Sequence, residues 1–173
     1  MIKRHQDSIL QNKISEIRRA INLELYNCAL ATALTLPDIC GKVEFPMESS
    51  SKKRYKKWFN KYARIYFVFS TTKLPENLTV EYQWLSEKEC YALRCAVLHA
   101  GDYKAEGISL PHIHIHAHKR DGENYNHITR DSDHIDIDVV DFCERLCKAA
   151  EEYHNSIDDK ARFDLDEVRI DTW

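Results

Sequence analysis

The apolar residues of this chain change period part-way along it, and few folds accommodate that change. Leu10, Ile14, Ile17, Ile21, Leu25 and Cys28 recur at three- and four-residue steps, with Glu16, Arg18, Arg19 and Glu24 between them. That spacing lays one apolar stripe along a helix. His112-Ile113-His114-Ile115-His116-Ala117-His118 and His134-Ile135-Asp136-Ile137-Asp138-Val139 alternate strictly instead, which sends every second side chain to the same face of a strand. Helical spacing returns over 139–156 through Val140, Cys143, Leu146, Cys147 and Ala150. The switch predicts a mainly α fold, a helical bundle with an inserted antiparallel β-hairpin.

Residues 8–35 predict one long helix, with Asp7 as its N-cap and Pro37, Asp38 and Gly41 ending it. At about 1.5 Å per residue it would run roughly 40 Å, enough for the spine of a bundle. Ser49-Ser50-Ser51 offers a cap for a second helix with an aromatic stripe, Tyr55, Trp58, Phe59 and Tyr62. Lys52, Lys53, Arg54, Lys56, Lys57, Lys61 and Arg64 surround the stripe without one acidic residue. Residues 65–69 suit either a continued helix or a strand. Residues 70–84 read as irregular, despite the alternation of Val80, Tyr82 and Trp84.

Ser86 and Glu89 form an S-x-x-E capping box opening a third helix. It carries Cys90, Leu93, Val97 and Ala100 on one face and closes at Gly101, a suitable residue just past a helix end. The two alternating runs, joined by a polar stretch with Asp121-Gly122 as a turn signal, predict an antiparallel hairpin or a small sheet, inserted over about 108–138. An acidic, peripheral segment follows over about 158–173. The whole of 1–173 is expected to be a single domain.

Composition removes several alternatives. Hydrophobic residues make up 43% of the 173, enough for a core, while 4 Gly and 4 Pro are too few for an all-β chain of many tight turns. A formal charge of −3 argues against coating nucleic acid by bulk electrostatics. Met1 to Asp7 lacks the apolar run of a secretory signal, and no segment approaches the roughly 20 apolar residues of a membrane span. The 6 cysteines include no CxxC pair and predict reduced, mostly buried thiols in a cytoplasmic setting. Cys143 and Cys147, one turn apart, suit a buried core or a metal.

The third helix also carries candidate chemistry. Arg94 and His99 lie in its last turns, separated by four residues. Arginine stays charged and grips phosphate through parallel hydrogen bonds, and histidine exchanges protons near neutral pH. Cleavage of RNA by its own 2′-hydroxyl needs those functions: a base, an acid for the leaving oxygen, and a cation for the growing negative charge. Arg120 and His127 also satisfy the spacing, but in the polar connection.

On these residues the chain resembles the HEPN superfamily (higher eukaryotes and prokaryotes nucleotide-binding), whose ribonuclease members carry R-x4–6-H near the end of a late bundle helix. The resemblance spans roughly residues 8–100 and 139–156. The residue after the arginine, often polar in active members, is Cys95 here. The resemblance implies a HEPN-like domain and a metal-independent endoribonuclease that uses no cofactor and acts as a homodimer on RNA. Arg94 and His99 would be its catalytic residues. It further implies a setting of phage defence or a toxin–antitoxin pair, with an antitoxin or regulatory protein as a possible partner and no membrane.

Two features lie outside that motif. His112, His114, His116 and His118 would share one strand face, about 6.5–7 Å apart in sequence order. With Asp136 or Asp138 opposite, His112, His114 and His116 can hold a zinc-like ion. Equally, they can form a solvated face of His–Asp pairs while the isoleucines pack inward. The basic aromatic helix can contact RNA through Lys53, Lys56 and Lys57, its rings stacking on bases, with His114 and His116 helping to hold phosphate. The alternative functions are therefore a metal-binding protein organised by the His-rich strand and a non-catalytic HEPN-like scaffold.

Overall fold

The computed structural model describes residues 8–73, 78–99, 112–117, 128–131 and 134–163. Its α-helices are α1 (Ile9–Asn22), α2 (Tyr26–Ala33), α3 (Leu36–Glu44), α4 (Ser51–Trp58), α5 (Glu87–Leu98) and α6 (Val139–Ser156). Its strands are β1 (Val68–Lys73), β2 (Leu78–Gln83), β3 (His112–His116), β4 (Ile128–Arg130) and β5 (His134–Asp138). The fold is mainly helical with two small sheets. Among the described residues, no helix is long and apolar enough to cross a membrane.

The expected single helix over 8–35 is two. Ser8, not Asp7, caps α1, its hydroxyl accepting from the Gln11 N–H while the Gln11 side chain accepts from the Ser8 N–H. The helix stops at Leu23 because Glu24 turns left-handed, with φ 57°. The Leu25 N–H then reaches back to the Ala20 carbonyl at 2.8 Å and the Glu24 N–H to Ile21 at 3.0 Å. This pair of bonds is the Schellman closure, here built without the usual glycine. Leu25 and Cys28 consequently face solvent, and α2 buries Ala29, Leu30 and Ala33 instead. Pro37 does not end a helix. It sits in the first turn of α3, where its missing N–H has no partner to lose.

The core collects residues from every helix. Tyr55, Trp58 and Phe59 of the aromatic stripe are fully buried, as are Leu10, Ile17, Phe142 and Tyr153. Trp58 packs edge-on to Tyr153 at 5.8 Å between ring centres. Buried rings cannot stack on bases, so that part of the nucleic-acid reading is corrected. After α4 the chain loosens into a π-helical turn (Phe59–Ala63) and a 3-10 turn (Arg64–Phe67), then enters β1. Part of 70–84, expected to be irregular, is strand: β1 and β2 pair antiparallel, with Phe69 opposite Tyr82. Phe69 and Tyr82 stay largely exposed. Two large apolar side chains of this pair therefore face solvent, so the alternation at Val80, Tyr82 and Trp84 does not mark a buried face.

The second sheet has the order β3-β5-β4. The two alternating runs lie parallel, with His114 opposite Asp136 and Ile115 opposite Ile137. A small sheet forms as expected, but the antiparallel pairing expected of the two runs is incorrect for a definite reason. A third strand, β4, intervenes and makes the antiparallel pair with β5 itself, so the long connection brings the chain back in its original direction. Ile135 and Ile137 are buried against the bundle. Asp138 ends the strand and caps α6, its Oδ1 accepting from the Val140 and Asp141 N–H groups at 2.8 and 3.0 Å.

Candidate active site

Two helix contacts place the candidate residues. α3 and α4 approach so closely at Gly41 that an added Cβ would stand 2.9 Å from the Arg54 carbonyl oxygen. The first turn of α3, with Asp38, is thereby fixed beside the last turns of α5. Tyr91 of α5 is seated edge-on against buried Tyr55, ring centres 5.3 Å apart, and Tyr55 itself hydrogen-bonds the Cys90 sulfur at 3.3 Å. The register of α5 follows from that anchored pair.

Arg94 and His99 meet. The Arg94 Nη1 lies 2.7 Å from His99 Nε2, and Arg94 Nε donates to Asp38 Oδ2 at 3.0 Å. His99 has left helical geometry and forms the C-cap, its N–H still donating to the Cys95 carbonyl. Gly101, expected to close the helix, lies outside the described residues. A guanidinium has donors and no acceptor, so the Arg94 contact requires Nε2 of His99 to carry a bare lone pair. His99 is exposed and Arg94 half-buried.

The charges are unevenly solvated. Burial raises the Asp38 carboxyl above its ordinary range, outweighing the neighbouring Arg94 guanidinium, which lowers it. Burial alone would lower Arg94, but the Asp38 charge and hydrogen bond hold it above its usual value. Lys56 Nζ stands 5.5 Å and Arg94 Cζ 6.0 Å from the centre of the same Tyr91 ring. Burial, and after it Lys52, lowers the Lys56 ammonium. Arg94 thus stands over Asp38 with Lys56 across the Tyr91 ring, where Glu87 also acts on the ammonium; two cations on one ring favour an incoming anion.

The other sequence candidates separate. Lys57 is paired with Glu48 at 2.9 Å, and Lys53 lies on the exposed face of α4. Only Lys56 of the three joins the Arg94 cluster. His114 and His116 lie on the sheet, with His114 Nδ1 3.0 Å from Asp136 Oδ1. That hydrogen bond lowers the Asp136 carboxyl. The side chain of His112, and the whole of His118, Arg120, His127 and the Asp121-Gly122 turn, lie outside the described residues. Cys143 and Cys147 are buried core thiols, Cys147 pushed up to about 12 by desolvation. Asp38 is a site residue that the sequence alone does not point to. It lies 56 residues before Arg94, and nothing local marked it beyond its place near a proline.

A groove of about 590 Å³ runs between α1 and α6, lined by Gln11, Ile14, Arg18, Lys148, Glu151 and His154 among others. Its Arg18 is held by Glu151, at 3.0 Å on one branch, and by Glu144 at 3.3 Å, which neutralises it in place. The groove has no arginine–histidine contact like that at the end of α5. No protein-family model, curated protein or solved structure matches the chain.

Proposed function

We propose that this chain is a metal-independent endoribonuclease of the HEPN type that acts as a homodimer. The observation that carries the reading is the 2.7 Å contact between Arg94 and His99 at an exposed helix end, with Asp38 gripping the guanidinium from behind. Arg94 holds its Nε toward Asp38, and its two Nη groups lie on the side of His99 and Cys95. A phosphodiester taking those nitrogens with two oxygens would draw Nη1 away from His99. Nε2 of His99 would then be free to accept a proton from the adjacent 2′-hydroxyl. The 2′ oxygen attacks phosphorus, the bond from phosphorus to the 5′ oxygen breaks, and the products are a 2′,3′-cyclic phosphate and a 5′-hydroxyl. The departing 5′ oxygen needs a proton at the same moment, and one imidazole that has just accepted a proton is a poor donor in that step. A second copy of the chain, presenting its own His99 across a shared cleft, supplies it. Arg94 offers the positive charge that a metal would otherwise provide.

The test incubates purified chain with mixed single-stranded RNA, with and without chelator, beside Arg94→Ala and His99→Ala. Cleavage is expected to survive chelation, to leave cyclic phosphate ends, and to fall about 100-fold or more in each variant. An inert, folded wild-type dimer would replace this reading with a scaffold, and cleavage that needs a divalent ion would overturn the proposed chemistry.

A further inference from the structure

The solvent face of the β3/β5 pair is a separate matter from the end of α5. Among the described residues, His114, His116 and Asp136 form a cluster whose ligand-type atoms all lie within 4.8 Å of one another. Strand geometry produces it. His114 and His116 share a face because they are two residues apart, and the parallel register sets Asp136 directly opposite His114. The imidazole centres of His114 and His116 are 5.7 Å apart. His134 approaches the same carboxylate oxygen from its own strand, its Nε2 3.4 Å from Asp136 Oδ1.

We propose that His114, His116 and Asp136 form a binding site for a divalent transition ion of the zinc type. Two imidazoles and one carboxylate are a donor set that such ions favour over magnesium or calcium, which take oxygen ligands almost alone. Ligands at about 2.0–2.2 Å from a tetrahedral ion stand roughly 3.3 Å from each other. The cluster therefore has to contract by at most about 1.5 Å, within reach of side-chain rotation at half-exposed positions. The opposite faces of both strands are fixed, since Ile135 and Ile137 are buried and Ile113 and Ile115 pack on the core. His134 then acts on Asp136 rather than on the ion, orienting the carboxylate by a hydrogen bond, a common arrangement around bound metals. An ion there would bridge β3, the edge of the sheet, to the central strand β5.

The site is distinct from the proposed nuclease centre. The sheet is tied to the N-terminal end of α5 by Arg130 of β4, which bonds Glu89. His99 closes the other end, ten residues beyond Glu89 and so about 15 Å further along the helix axis at 1.5 Å per residue. The two readings therefore fail separately.

The test uses untagged full-length chain stripped with chelator, titrated calorimetrically with Zn²⁺ and spectroscopically with Co²⁺. One equivalent is expected to bind, with visible cobalt bands of low coordination number and a rise in melting temperature. His114→Ala, His116→Ala and Asp136→Asn should each weaken Zn²⁺ affinity about 100-fold, and His134→Ala by about 10-fold. His99→Ala should leave the affinity unchanged. His114→Asn serves as a second variant should alanine disturb the strand, since it keeps a polar side chain without a ring nitrogen. Absence of saturable binding at millimolar metal would overturn the proposal. So would one-equivalent binding that persists in all three ligand variants, or that shows thiolate-to-cobalt absorption lost in Cys143→Ser.

Discussion

The two ends of α5 carry the same kind of ion pair and use it differently. At the N-terminal end, Glu89 is almost wholly buried and both its carboxylate oxygens are engaged. It accepts from the Ser86 N–H and hydroxyl, both at 2.8 Å, and from two arms of Arg130 at 3.0 and 2.9 Å. At the C-terminal end, Asp38 holds Arg94 through Nε, while Nη1 meets an exposed histidine and the Cys95 side chain is a further partner. A saturated pair fixes structure; a pair with donors left over can receive a ligand. The difference also shows in the carboxyls. Burial alone would raise Glu89, but Arg130 and Ser86 together bring it below its ordinary value, whereas for Asp38 burial wins. Holding a carboxylate that its surroundings disfavour is a cost often met where a site serves chemistry rather than stability.

The largest expected effect tests that division directly. His99→Ala should abolish RNA cleavage by about 100-fold or more while leaving the urea midpoint near that of the wild type. Arg130→Ala should do the reverse, costing about 2 kcal/mol of stability by leaving Glu89 short of its cation, discounted for the partial exposure of Arg130, with cleavage per folded molecule unchanged. Equal loss of both properties in both variants would break the comparison.

Next in size is the packing that sets the two ends apart. Gly41→Ala places a methyl group against the backbone of α4 and should cost about 1–3 kcal/mol. Because it moves Asp38 relative to Arg94, cleavage should fall as well, read against an unaltered far-ultraviolet circular dichroism spectrum.

The smallest effects are those of pH on stability, and they differ in sign. Glu89 has a lowered folded value, so its contribution is present above the unfolded value of about 4.3 and is lost as pH falls through the lower folded one. Glu89→Gln should flatten that acid limb. Asp38 has a raised folded value, so the folded chain binds its proton more tightly and gains stability as pH falls through that range. Asp38→Asn should remove this gain and leave stability at neutral pH unchanged or slightly higher, while slowing cleavage about 10-fold through looser positioning of Arg94. Melting curves between pH 3 and pH 7, run beside activity, separate the two carboxyls.

Where local chemistry specifies an element, the sequence was readable. The Ser86/Glu89 box, the buried aromatic stripe of α4 and the inward isoleucines of β5 are each set by neighbours within a few positions. The break between α1 and α2 was not, because a glutamate occupies the left-handed position where a glycine would have announced it. Strand direction was hidden too, since β4 is only three residues long and it alone decides that β3 and β5 run parallel. For the candidate site, Arg94 and His99 could be found from their spacing on one helix. Asp38 could not, because its meeting with Arg94 depends on how three helices cross.

The left-handed backbone at Glu24 reaches further than its own turn. Had α1 continued unbroken through residue 35, a rigid rod would have carried the chain away from the bundle, and α3 with it. By folding back at that one residue, the polypeptide returns the acidic group of α3 to the guanidinium of α5. One left-handed residue thus lies on the chain path that leads α3, and with it Asp38, to the proposed reaction centre.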